Sequence, residues 1–234
     1  MFHINKEIAS SGKAPSSQRH DRKIMTKIKI CGIKKLIDAV SAIEAGADML
    51  GFNFYPKSVR FVEKETCAKI TSILKKDYPQ IKLIGIFVNS SLADVKDILE
   101  TCSLDLAQLH GDESVEMLNE LSGKAFKAFR GEVDEQMIVK STPAFLIDAA
   151  VKDSYGGSGV KADWSIAAKL ATKYPLLLAG GLTAENVPEA VGRVKPWGVD
   201  VASGVESTPG SKDAAKLSAF VKAVKSPQSP VSNL

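Results

Sequence analysis

The sequence predicts an α/β fold, a single small (β/α)8 TIM barrel. Three observations predict it. Short β-rich runs alternate with longer amphipathic stretches, eight of each. The runs are nearly unbroken in apolar character, as parallel strands covered on both faces must be. A chemically able residue stands at or just past the C-terminal edge of each run, and in a barrel those edges share one rim. A doubly wound open sheet is the alternative that the alternation also allows.

In chain order the runs are "KIKIC" (27–31), "MLGFNF" (49–54), "IKLIGIFV" (81–88), "LDLAQL" (104–109), "KAFKAF" (124–129), "AFLID" (144–148), "LLLAG" (176–180) and "GVDVAS" (198–203). The stretches between and after them, 35–46, 63–77, 91–101, 113–121, 133–140, 163–173, 184–194 and 213–224, are read as helices. "SLADVKDILE" shows the reasoning. Ser91 can cap, and Leu92, Val95, Ile98 and Leu99 fall on one helical face. The segment 133–140 carries the weakest such pattern. The able residues at the edges are Cys31, Asn53 with Tyr55, Asn89, Gln108 with His110, Arg130, Asp148, Gly180 with Gly181, and Ser203 with Gly204. Any one polar residue there can simply mark where a strand meets solvent. Cys31 and Asp148 are less easily explained so, because each directly ends an apolar run.

Composition bounds the function. Of 234 residues 44% are hydrophobic and 25% charged, ordinary for a globular domain. The net charge of +4 is spread along the chain with no basic stripe interleaved with aromatics, which argues against a nucleic-acid binder. The longest apolar runs fall far short of a bilayer span. Three cysteines, widely spaced, make no disulfide framework and no CxxC pair, and three scattered histidines make no metal motif. A reducing, cytoplasmic setting suits such a chain. Residues 1–24 are polar and aperiodic and are read as a disordered extension. A transit peptide would fit poorly, since Glu7 and Asp21 are acidic. The barrel is expected over 25–226, with 227–234 a flexible tail.

Three glycine-rich stretches fall in the last three loops that follow strands: "YGGSG" (155–159), "AGGL" (179–182) and "ASGVE" (202–206). Glycine lets backbone N–H groups approach an anion closely, and a helix starting just after adds its positive end. Late barrel loops often bind phosphate, commonly with a short extra helix, which "SGVES" can supply. A phosphate site in the loops after the seventh and eighth strands is therefore expected, with Gly157, Gly180, Gly181, Ser203 and Gly204 as its candidates.

Cys31 and Asp148 end runs one and six and can face each other across a barrel mouth. A thiol is a base only as thiolate, which Lys29 or Lys34 nearby would favour. A carboxyl partly desolvated at such a mouth can hold a proton to donate. One acid and one base over a sugar phosphate suit isomerisation by proton transfer. From position alone, Cys31 also reads as a small buried filler, as Cys67 and Cys102 do within their helices, and Asp148 as a cap.

"KICGI", "GADMLGFNFYPKSVRFV", "IGIFVN", "AQLHGDE", "FLIDA…YGGSG…DWS", "LLLAGGLTAENV" and "VDVASGVES.PGSKD" together resemble phosphoribosylanthranilate isomerase, in order, from about Lys27 to Val221. The resemblance implies a barrel enzyme of tryptophan biosynthesis, monomeric or homodimeric, that needs neither cofactor nor metal. It implies an Amadori rearrangement of the small-molecule substrate N-(5-phosphoribosyl)anthranilate to 1-(2-carboxyphenylamino)-1-deoxyribulose 5-phosphate. Asp148 would be the general acid that opens the ribose ring, and Cys31 the base that takes the C2′ proton. Arg60 would pair with the anthranilate carboxylate, for which a guanidinium fork is suited. Asp200 matches a substrate-contacting aspartate, the glycine loops match the phosphate site, and Gln108 and His110 line the mouth wall. Lys34 and Ala202 depart from the frequent threonine and serine of the family, and the extension before Met25 lies outside its pattern. Other readings were an epimerase of the ribulose-phosphate kind, whose metal-binding histidines are missing, and an indole-glycerol-phosphate synthase, whose strand-end lysines are missing. A catalytically silent phosphate-binding barrel would be expected to lack Cys31 or Asp148.

Overall fold

The structure, a computed structural model, describes residues 25–121, 123–149 and 164–226. Strands β1 (Lys27–Cys31), β2 (Met49–Asn53), β3 (Lys82–Phe87), β4 (Leu106–Leu109), β5 (Ala125–Arg130), β6 (Phe145–Asp148), β7 (Leu176–Ala179) and β8 (Gly198–Val201) close in sequence order into a parallel barrel. Helices α1 (Leu36–Ala45), α2 (Lys64–Asp77), α3 (Leu92–Thr101), α4 (Val115–Glu120), α5 (Ser165–Ala171), α6 (Val187–Val194) and α7 (Ala214–Lys225) surround it. After β8, a short antiparallel ribbon, β9 (Glu206–Thr208) with β10 (Ser211–Lys212), precedes α7.

Local chemistry sets the helix ends. Ser91, Ser114 and Asp213 accept from the backbone N–H groups of Asp94, Met117 and Lys216, satisfying donors that a helix leaves unpaired. Gly46 closes α1 at φ 108°, where a side chain would be strained. The expected helix at 133–140 is a correction. Only Glu135–Met137 turns, as one 3-10 turn capped by Asp134, and Ile138 is already extended. Val133, Ile138 and Val139 are β-branched and Pro143 follows closely, so too few residues remain to propagate a helix.

The register explains which side chains enter the barrel. Lys29 pairs with Met49 and Asp200, Cys31 with Gly51, Asn53 with Ile86, and Arg130 with Asp148. All of these share the inward face. Met49, Ile84, Phe126, Ala128, Leu146, Leu177 and Ala179 form the apolar barrel interior. The alternate residues, such as Phe145 and Ile147 on β6, join the larger layer between strands and helices. Each large side chain buried there contributes roughly 1.5–3 kcal/mol relative to exposure. Cys67 and Cys102 belong to that layer, with Cys102 donating to Lys64 O at 3.4 Å. Among the described residues, no helix is long and apolar enough to cross a membrane.

Candidate active site

A cavity of about 770 Å³ opens at the C-terminal ends of the strands, within the range that holds small ligands. Cys31, Arg60, Gln108, His110, Asp148 and Asp200 line it, together with Gly180, Gly181 and Ser203. Residues far apart in sequence thus meet in one space, because each lies near or after the C-terminal end of a strand of the same barrel. Gly157, with the rest of the "YGGSG" loop, lies outside the described residues.

Cys31 is half-buried in this cavity. The surrounding protein desolvates its thiol and raises its pKa above the ordinary value, while the Lys29 and Lys212 ammonium groups pull it back. Lys29 is the decisive neighbour. It lies two residues before Cys31 on the same strand face, fully buried, with Nζ 2.8 Å from Asp200 Oδ1. Burial alone would strip its proton; Asp200, and then Cys31, outweigh this and hold it protonated. Lys34, the other lysine considered, donates instead to Val59 O at 3.2 Å.

Two consequences of this pair can be measured. Because the Cys31 thiol is raised, its thiolate fraction climbs as pH rises, and alkylation of Cys31 by iodoacetamide should accelerate about tenfold per pH unit until a midpoint above that of a free thiol. Lys29→Met should move that midpoint higher still, since it removes the neighbouring positive charge. It also strands the Asp200 carboxylate without its partner, which should cost about 3 kcal/mol of stability in urea unfolding.

Arg60 reaches the mouth from the loop after β2. Its Nε donates to Glu206 Oε1 at 2.8 Å and its Nη2 to Glu206 Oε2 at 2.7 Å. Its stem crosses Gly32, where an added Cβ would stand 2.5 Å from Arg60 Cδ. On the opposite wall, Arg130 Nε stands 3.3 Å from His110 Nε2, and Gln108 Nε2 stands 3.5 Å from His110 Nδ1. A neutral imidazole cannot accept at both nitrogens, and Gln108 Oε1 is buried with no partner among the described residues. Turning the Gln108 amide over resolves both: Gln108 Oε1 accepts from His110 Nδ1–H, and His110 Nε2 accepts from Arg130. Burial and then Arg130 hold the His110 pKa below its usual value, so the ring is neutral at pH 7.

The glycine loops close the far side. Gly180 and Gly181 adopt φ 107° and 63°, which a side chain would strain. Ser203–Val205 forms one 3-10 turn, the short helical piece that "SGVES" suggested. Gly204 packs against the β7 loop, where a Cβ would stand 2.0 Å from Leu182 O. Gly204→Ala should therefore push the two loops apart, costing about 1–3 kcal/mol of stability by urea unfolding and weakening inorganic phosphate as a competitive inhibitor.

Sequence reading missed three polar arrangements. Lys29 and Asp200 could have been paired from their place on neighbouring strands of a closed barrel. The clamp of Glu206 on Arg60 left no signal, because 146 residues separate them. Nor did the buried Lys127–Glu113 pair, at 2.7 Å, with Glu113 also accepting from the Asn89 and Gly111 N–H groups and Lys127 donating to Gly111 O. That cluster ties the loops after β3 and β4 to β5 beneath the mouth.

The chain is similar to known proteins of one family. Residues 28–223 match the family model of N-(5'phosphoribosyl)anthranilate (PRA) isomerase. The chain is 45% identical over 204 residues to the N-(5'-phosphoribosyl)anthranilate isomerase of Geotalea uraniireducens (strain Rf4), covering 86% of this chain and 99% of the relative. The crystal structure of the Thermotoga maritima phosphoribosyl anthranilate isomerase superposes with TM-score 0.76 at 35% identity, over 86% of this chain and 99% of that one. A phosphoribosyl anthranilate isomerase in complex with reduced 1-(o-carboxyphenylamino)-1-deoxyribulose 5-phosphate superposes with TM-score 0.74 at 33% identity, over the same shares.

Proposed function

The chain belongs to the N-(5'-phosphoribosyl)anthranilate isomerase family, and from that premise we propose how its mouth residues carry the rearrangement of N-(5-phosphoribosyl)anthranilate in tryptophan biosynthesis. Asp148, at the end of β6, gives a proton to the ribose ring oxygen. The C1′–O bond breaks, the anilino nitrogen's lone pair forms a Schiff base, and the sugar is open. Cys31, as thiolate, then takes the C2′ proton, and the C–H electrons move to give an enolamine. Tautomerisation yields 1-(2-carboxyphenylamino)-1-deoxyribulose 5-phosphate.

The remaining residues position and anchor. Lys29 favours the thiolate from beneath the cavity. Asp200 spends Oδ1 on Lys29 and turns its other oxygen to a ribose hydroxyl. The backbone N–H groups of Gly180, Gly181, Ser203 and Gly204 receive the phosphate. Arg60 pairs with the anthranilate carboxylate. Gln108 and the neutral His110 wall the sugar. A cytoplasmic setting suits three free thiols, one of them at the reacting centre.

The observation that carries this reading is that one thiol and one carboxyl, each ending a strand, line the same cavity as two glycine turns. An acid and a base flanking a sugar whose phosphate is held in backbone is what an aldose–ketose rearrangement needs. The test is a fluorescence assay in which purified protein consumes phosphoribosylanthranilate; no consumption at micromolar enzyme overturns the reading.

A further inference from the structure

Glu206 does no chemistry in the scheme above, yet its carboxylate accepts three side-chain hydrogen bonds. Its side chain is 4% exposed, and both oxygens are taken by Arg60 through Nε and Nη2. Oε1 also accepts from Lys212 Nζ at 2.9 Å, and Lys212 is 1% exposed. Lys212 reaches further, to Ala202 O at 3.1 Å, the residue just before the Ser203 turn. Lys216 Nζ holds the Glu206 backbone carbonyl at 2.7 Å. A buried carboxylate held by two cations, on a backbone held by a third, is a rigid anchor.

The geometry of the guanidinium says what the anchor is for. Arg60 has five N–H donors in one plane. Glu206 uses the edge formed by Nε and Nη2. That leaves the edge formed by Nη1 and the second Nη2 hydrogen, a fork of the right width for another planar carboxylate. Charge supports the same use. Arg60 and Lys212 share one carboxylate, so a positive charge is left over beside the cavity. With Glu206 alone, a guanidinium would be neutralised and a poor receptor for an anion.

We propose that Glu206 is a positioning residue, which, backed by Lys212, holds the guanidinium plane of Arg60 so that its remaining fork faces the carboxylate of the bound anthranilate. This rests on the assignment of Arg60 given above. The ribbon β9–β10 thereby joins two specificity elements: it starts at the end of the Ser203 turn and carries both residues that orient Arg60. A short peptide segment after β8 then sets the distance between the phosphate end and the aromatic end of the substrate.

The test compares two stable product analogues by calorimetry. One is the reduced carboxyphenylamino deoxyribulose phosphate; the other has a plain phenyl ring in place of the carboxyphenyl. Wild type should prefer the carboxylated compound, and Arg60→Met should abolish the preference. In Glu206→Gln the preference should fall about tenfold, through weaker binding of the carboxylated compound, while affinity for the phenyl compound stays within about twofold. Inorganic phosphate should inhibit the variant as it does wild type. If Glu206→Gln keeps the full preference, or loses both analogues alike, the positioning role is overturned while the role of Arg60 stands. If wild type shows no preference, the assignment of Arg60 itself falls, and this proposal with it. Should Glu206→Gln fail to fold, Glu206→Asp replaces it. That variant keeps the charge but draws the guanidinium back by one methylene, and the same selective loss is expected.

Discussion

Replacing Cys31 by alanine is expected to lower kcat by about 10²–10⁴-fold, the usual contribution of a positioned base, with the product analogue bound as tightly as by wild type. Binding survives because the anchors lie elsewhere: the phosphate in the β7 and β8 turns, the carboxylate at Arg60. Cys31→Ser should fare little better, since a hydroxyl beside Lys29 is a far weaker acid than a thiol and supplies far less of the basic anion. The rate-limiting step should become loss of the C2′ proton. Substrate deuterated at C2′ should therefore show a full primary isotope effect in any residual turnover of Cys31→Ala. Near-normal turnover in that variant would sink the assignment of the base.

Asp148→Asn is expected to cost a similar factor, about 10²–10⁴-fold in kcat, for a different reason. The amide keeps the shape and can still donate a weak hydrogen bond to the ring oxygen, but it has no proton to give. Ring opening then limits the rate, and C2′ deuteration should have no effect. The two variants thus separate the two steps: the isotope effect is full in one and absent in the other. A full isotope effect in both would mean that Asp148 does not open the ring, and its place at the mouth would be that of a sugar-binding residue.

The electrostatics of the mouth follow one pattern. Two cations with buried side chains, Lys29 and Lys212, lie beneath it, paired to carboxylates at 2.8 and 2.9 Å respectively. Both lie close enough to Cys31 to draw its thiol downward against the desolvation that raises it. Glu206 is pushed upward by burial and held below its usual value by Arg60 and Lys212. The barrel floor thus offers anions, whether a thiolate or a substrate carboxylate, the positive field of two buried ammonium groups.

Much of this was legible in the chain itself. The eightfold alternation implied the closed barrel, and the residues ending "KIKIC" and "AFLID" implied an acid and a base on one rim. Such features are local: an apolar run with a thiol at its edge is visible in five residues, and a glycine pair in two. The weakest helix, 133–140, failed for an equally local reason, its β-branched residues. What only the tertiary structure decided is how charges at distant positions pair. In sequence Lys29 and Lys34 stand equally as cations near Cys31, until barrel closure sets β8 beside β1 and brings Asp200 against Lys29. Nothing in "SGVES" marks Glu206 as a partner for Arg60, 146 positions earlier, which crosses Gly32 to meet it. Side chains buried together must settle their charge with one another, and the partners are chosen by closure of the sheet, which no stretch of sequence contains.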